Sequence, residues 1–155
     1  MTSQTATSLP SLLKHASVVY VIDRGNFTDL PVDRRYRVAS TASEHSAILE
    51  ELIALMRDRC QLAGLGAREF GRVALVVDDL SGFLNDTTPE QAHLDLIWNL
   101  GRAVNIQLFV VLLNSPDASQ VSGTQRDALM GGFHHAVSKD SYGHFRVLSA
   151  WPEVA

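Results

Sequence analysis

The chain has one cysteine, Cys60, in 155 residues. A single thiol excludes an intrachain disulfide and a cysteine-based zinc site, and its place on a helical pattern predicts a small buried side chain. An excess of positive charge is also missing, since 13 Lys and Arg stand against 17 Asp and Glu for a formal net charge of -4. No global basic field recruits nucleic acid, so any DNA contact needs a local patch or a partner subunit. No apolar run approaches the roughly 20 residues of a membrane span. Residues 1–10 are polar and rich in Ser and Thr, without the basic region and apolar core of a secretory leader, so the cytoplasm is the expected setting. There is no internal repeat or low-complexity tract. Residues 1–155 therefore read as one domain with a flexible stretch at 1–10, and 46% hydrophobic residues suffice for a core.

What is present is a set of apolar, β-branched runs that end in polar residues. Arg72-Val73-Ala74-Leu75-Val76-Val77-Asp78-Asp79-Leu80 is the central one, an unbroken run of the kind buried on both faces of a parallel sheet. Its carboxylates fall at the C-terminal end, where open α/β sheets bind ligands. Asp is equally at home there as a cap of the following turn. Val18 to Ile22 repeats the pattern and ends in Asp23 and a turn signal, Arg24-Gly25-Asn26. Ile106 to Leu113 repeats it again and stops at Asn114-Ser115-Pro116-Asp117.

Helical patterns separate these runs. From Ser43, the expected N-cap, to Leu65, residues Ile48, Leu49, Leu52, Ile53, Leu55 and Met56 recur at three-to-four-residue spacing, and Gly64 and Gly66 stop the helix. A second helix starts at Thr88-Pro89-Glu90-Gln91 and ends near Val104-Asn105. Leu9 to Leu13 forms a short helix or turn, residues 30–40 a solvated loop or short strand, and 118–131 a weak helix. Phe133 to Val137 and His144 to Ala150 are expected strands. Alternating strands and helices predict an α/β fold of three αβα layers around a mostly parallel sheet.

In order and spacing, residues 17–140 resemble the second half of the FtsK/SpoIIIE family of DNA-translocating motors, including relatives in type VII secretion and conjugation. The segments that carry the likeness are Val19 to Asp23, the helix through Leu55-Met56-Arg57-Asp58-Arg59, and Val73 to Leu80 with Phe83-Leu84. Leu100-Gly101-Arg102-Ala103-Val104-Asn105-Ile106-Gln107-Leu108 completes the set. The resemblance implies a truncated RecA-like, P-loop NTPase-type fold. It casts Asp78 as the Walker B acid that binds cofactor through Mg²⁺, Asp79 as the neighbouring acid that polarises the attacking water, and Asn114 as the sensor residue. It also implies that the Asp23, Asp78 and Asn114 strands are neighbours, because in such motors the sensor strand lies between the P-loop strand and the Walker B strand.

The departures weigh on function. No Gly-x-x-x-x-Gly-Lys-Ser/Thr occurs in the chain. Backbone amides and a lysine around the β- and γ-phosphates supply most of nucleotide binding, and without them Asp78 repels the triphosphate. Asp79 stands where Glu is usual, Asn114 where Gln is usual, and Ser115 replaces an Arg. His134 and His135 fall near a late arginine and carry no permanent charge. The expectation is a degenerate motor domain with no autonomous ATPase activity. It has no resident cofactor, with Mg²⁺ at Asp78 as the candidate ion, and acts as a non-catalytic module with a protein partner or as a homo-oligomer. DNA is met only indirectly or in a complex. The strand without its P-loop neighbour needs cover on its Leu108 to Leu113 edge, and His144 to Ala150 is expected to pair there.

Two other classes compete. One is a Mg²⁺-dependent phosphatase or phosphoacceptor enzyme using Asp23, Asp78 and Asp79 with Ser115 and Lys139, although paired acids on the first strand would suit a receiver better. The other is a fragment of an ATP-driven translocase completed by another chain. His134, His135 and His144 are expected on the surface and not in a metal site. Arg34, Arg35 and Arg37 are expected to be solvated, Trp98 and Trp151 to pack as core and tail anchors, and His93 to be structural.

Overall fold

The β-branched runs become strands where the pattern places them: β1 (Val18–Ile22), β2 (Tyr36–Ala39), β3 (Val73–Val77), β4 (Ile106–Leu113), β5 (His135–Lys139) and β6 (Phe145–Val147). The computed structural model describes residues 8–25, 34–67, 69–78, 88–113, 133–139 and 144–148, with the backbone alone at 88–92 and 113. The strands form one sheet of order β2-β1-β3-β4-β5-β6. All neighbours are parallel except β5 and β6, which pair antiparallel. The strands of Asp23 and Asp78 and the strand leading to Asn114 are therefore contiguous, as expected.

Every residue of β3 is buried, because its two faces serve two cores. Val73, Leu75 and Val77 pack with helices α2 (Ala42–Gly64) and α3 (Thr88–Leu100) through Leu49, Leu52, Met56, Leu94 and Ile97. Ala74 and Val76 face Leu9 and Leu13, at and just after the short helix α1 (Leu9–Leu12). Fully burying one such Val or Leu is worth about 1.5–3 kcal/mol, so the alternation of faces ties both helix layers to the same strand.

Helix α2 starts two residues earlier than the pattern suggests. Thr41, not Ser43, is the N-cap: its side chain accepts from the Glu44 N–H while the Glu44 carboxylate accepts from the Thr41 N–H. That reciprocal box outcompetes Ser43 because Glu lies three residues after Thr41. The Thr41 hydroxyl, which donates to Glu44 Oε1 at 2.9 Å, and then the Ser40 and Thr41 N–H groups hold the exposed Glu44 carboxyl below its ordinary range. Cys60 proves exposed, near the C-terminal end of α2. Residues 36–39 are a strand and not a solvated connection, because Tyr36 and Ala39 are buried against β1 and α2. Arg37 is ion-paired with Glu51 on α2.

The outer edge of β4 departs most from expectation. β5, not the terminal strand, pairs with it, from Phe109↔His135 to Leu113↔Lys139, and β6 pairs in turn with β5. The segment beginning at His135 reaches that edge first and offers buried Ala136 and Val137 to the two cores, whereas β6 contributes Phe145 alone among fully buried residues. His134 secures the junction. Against the surface position expected from sequence it is buried, with Nδ1 accepting the Leu108 N–H at 2.9 Å and its ring edge-on to Trp98 and Phe133. The ring fits because residue 101 is glycine: a Cβ there would strike the Ile106 carbonyl oxygen and come within 3.2 Å of His134 Cε1. Asn105 then turns the chain into β4 in the left-handed region at φ 60, a conformation Asn tolerates.

Burial pushes the His134 imidazole down from 6.5 to about 4, a shift that the Trp98 and Ile97 carbonyls oppose and that His135 and Arg102 reinforce. The unfolded chain therefore binds a proton between these values that the folded chain refuses, and stability should fall as pH drops from 6.5 to about 4. The slope approaches ~1.4 kcal/mol per pH unit for one proton. Denaturant melts across that window should show the slope in the native protein and lose most of it in H134N, whose amide oxygen still accepts from Leu108.

Candidate functional site

The C-terminal ends of the parallel strands form one rim, and the sheet order sets where a ligand would enter it. From β1 the chain moves outward to β2, then returns through α2 to β3 and proceeds to the other side. The boundary between β1 and β3 is thus the point where strand connections diverge, the crevice position of doubly wound sheets. Asp23 and Asp78 stand at its two sides, immediately after Ile22 and Val77, which are register partners.

Their carboxylates are engaged locally. Asp78 is fully buried, its N–H donates to the Ile22 carbonyl at 3.0 Å, and its Oδ2 accepts from the Arg24 N–H at 2.8 Å. Asp23 Oδ1 accepts from the Gly25 N–H at 2.8 Å, closing a turn that Gly25 completes at φ +94, and Oδ2 accepts from the Ser40 hydroxyl at 3.4 Å. Both acids therefore organise the exit from β1.

His45, which the sequence pattern did not single out, completes the crevice wall. From the first turn of α2 its Nε2 lies 3.0 Å from the Asp23 carbonyl and 2.9 Å from the Ala39 carbonyl, so in the Nε2-protonated tautomer it bridges the ends of β1 and β2. A polar residue on the buried stripe of α2, one helical turn before Ile48 and Leu49, was the available signal.

Lys139 ends β5 on the same rim, two strands from Asp78 or about 10 Å across the sheet. Side chains alternate along a strand, and Val19, Val21, Ala74, Val76 and Val137 all face the α1 side. Asp23, Asp78 and Lys139 share that parity. The sequence groups Lys139 with the acids only in the phosphoryl reading, and the sheet order puts it on the same rim. Asp79, Asn114 and Ser115 lie outside the described residues, as does Trp151. Among the described residues no group of three or more His, Cys, Asp or Glu could hold a metal ion. Mg²⁺ needs only one or two carboxylates beside water and phosphate oxygens, and Asp23 with Asp78 could supply those two.

A solved structure of the pCW3 conjugation coupling protein TcpA, a monomer form with ATPγS, matches 87% of this chain at a TM-score of 0.65 and 17% sequence identity. The two share a fold. That fold is the mostly parallel, three-layer α/β architecture expected of a RecA-like domain, and the chain spans 45% of the TcpA chain's length. Neither a family model nor a curated sequence matches the chain. Among the described residues no helix is long and apolar enough to cross a membrane.

Because Asp78 accepts the Arg24 amide, D78A should cost about 1–3 kcal/mol by leaving that part-buried donor unmet. D78N, which keeps an oxygen there, should cost less than half as much in the same denaturant melts.

Proposed function

We propose that this chain is a motor-like domain without a phosphate-binding loop, serving as a non-catalytic assembly or regulatory module of a DNA-translocation or secretion machine. The observation that carries this reading is the occupant of the β4 edge. In motors of the resembled type that edge pairs with the strand leading into the P-loop, and here it pairs with β5, drawn from after β4 in the chain. The likeness to a conjugation coupling protein over most of this chain supports the same reading.

Completion by a P-loop strand from another chain is disfavoured by the same pairing. An incoming strand would have to displace β5 and β6 together and expose Val137 and Phe145, both buried. A protein partner or second copy would instead use surfaces outside the β4 edge, and contact with DNA would pass through that assembly.

Lys139 favours a second reading, an enzyme that handles phosphoryl groups with Mg²⁺. Two acids at the β1/β3 crevice and a lysine on β5, all of one parity, could hold a cation and a phosphate side by side. Asp79 and Ser115 would belong to the same set. Bound Mg²⁺ would neutralise phosphate charge there, while Asp23 and Asp78 orient it and Lys139 offsets a phosphate oxygen.

Calorimetry of the protein with Mg²⁺ and ATP should give no heat of binding, and a micromolar or tighter constant would overturn the first reading. Titration with Mg²⁺ alone, followed by amide chemical shifts, separates the second. No response is expected, whereas saturable shifts centred on Asp23, Arg24 and Asp78 would replace the non-catalytic reading with the phosphoryl one.

A further inference from the structure

Helix α3 runs into a single tighter helical turn at Gly101–Val104, and burial along the combined segment repeats at one spacing. Leu94, Ile97, Trp98, Gly101 and Val104 are buried, which fixes the inward side. Asp95, Leu96, Asn99, Leu100, Arg102 and Ala103 are exposed. At about 100° per residue in the helix and about 120° in the tighter turn, these six fall into two adjacent rows, Asp95-Asn99-Arg102 and Leu96-Leu100-Ala103. One row is polar and the other apolar.

A lone exposed leucine calls for no explanation. Leu96 and Leu100, however, are 37% and 44% exposed one turn apart, and neither belongs to the two cores of the sheet. Asn99 does not stand above them, because its Nδ2 donates back to the Asp95 carbonyl at 2.8 Å. Asp95 and Arg102, at the two ends of the polar row, have no ion-pair partner among the described residues. A carboxylate at one end, a guanidinium at the other and leucines beside them make a strip that is its own complement when turned end over end. The charges of α2, which packs alongside, do not disturb this order. Glu44 caps its own helix, Glu51 pairs with Arg37, and Arg59 donates to the Gly71 and Val104 carbonyls. Arg57 and Asp58 are of opposite sign, which leaves Glu50 unbalanced.

We propose that this strip is a two-fold contact between copies of the chain, with α3 of one laid antiparallel across α3 of the other. Asp95 of each copy then meets Arg102 of the other, Leu96 meets Leu100, and Asn99 lies next to the axis. A parallel arrangement would set Asp95 against Asp95 and Arg102 against Arg102. A foreign helix would need only the leucines, whereas the end-to-end reversal of charge is what a second copy requires. The ion pairs are exposed and choose direction more than they add affinity. The leucines hold the pair, closed off from water between helices about 8–10 Å apart. The strip is short beside a standard interface, so the dimer is weak. Such a contact is isologous and closes at two copies. The dimer gives the assembly reading a surface and rests on that reading for its use, yet the two fail separately. ATP binding would overturn the reading and leave the dimer intact, and a monomer would remove the dimer without creating a nucleotide site.

Sedimentation equilibrium of the full chain, from low to high micromolar concentration, tests the contact. A monomer–dimer equilibrium with no larger species is expected, and its affinity should change little between ~100 and ~500 mM salt because the leucines carry it. L96S/L100S should weaken the dimer about tenfold or more. D95R and R102D should each weaken it several-fold, while their equimolar mixture should recover native affinity as a heterodimer, since every charge again faces its opposite. Far-UV circular dichroism checks that each variant is folded. A monomer at every concentration would hand the strip to a foreign helix and overturn the proposal. Species beyond the dimer, a dimer indifferent to L96S/L100S, or a mixture of D95R and R102D no tighter than either alone would overturn it as well.

Discussion

The paired backbone of β1, β3 and β4 is the constraint from which the rest follows. β3 bonds to a parallel neighbour on each side and presents no residue to solvent, so α2 and α3 must cover one face and α1 the other. Where β3 ends, the same ladder continues for one more bond, from the Asp78 N–H to the Ile22 carbonyl. That bond draws a carboxylate into the interior beside the exit of β1. A buried carboxylate is costly unless hydrogen-bonded, and the Arg24 amide meets part of that requirement. The acid pair at the crevice is thus a product of sheet register as much as of chemistry.

The β4 edge carries a second consequence of the same ladder. An eight-residue apolar strand with an open side invites pairing with another chain, and β5 removes the invitation. The bond from Leu108 to His134 substitutes an imidazole for a strand partner at the start of the ladder. Gly101 leaves room for it, and Trp98 packs against it. Strands β5 and β6 are therefore integral to the sheet, and the chain holds no Gly-x-x-x-x-Gly-Lys-Ser/Thr sequence that would add a phosphate-binding loop to the rim.

Strand direction also sorts charge. In a parallel sheet every C-terminal end lies on one side and every N-terminal end on the other, so sequence habits at strand ends accumulate. Acids following β1 and β3 meet at the rim, and basic residues preceding β1, β2, β3 and β4 meet at the opposite end. A mild overall charge of -4 hides this separation. Arg24 and Lys139 lie at the rim as well, so the rim is mixed in charge while the opposite end is mostly basic.

The strands through Val73, Val18 and Ile106, the two long helices and the parallel α/β class were legible in the chain, because buried runs and helical stripes are local patterns. The contiguity of the Asp23 and Asp78 strands followed from the family resemblance, and the shared fold with TcpA agrees with it. The burial of His134 and the bridging role of His45 were not legible, whereas the place of Lys139 at a strand end groups it with Asp23 and Asp78 from the sequence. The two histidine placements depend on which segment takes the free edge of β4 or which carbonyls lie beside a helix start, and the Leu108–His134 and Asp23–His45 contacts join residues more than twenty apart. Local sequence set the elements and their faces, since burial and hydrogen bonding act along a few residues at a time. Only the folded sheet decided which ends lie side by side, because strand order is a competition among distant pairings that no single segment encodes.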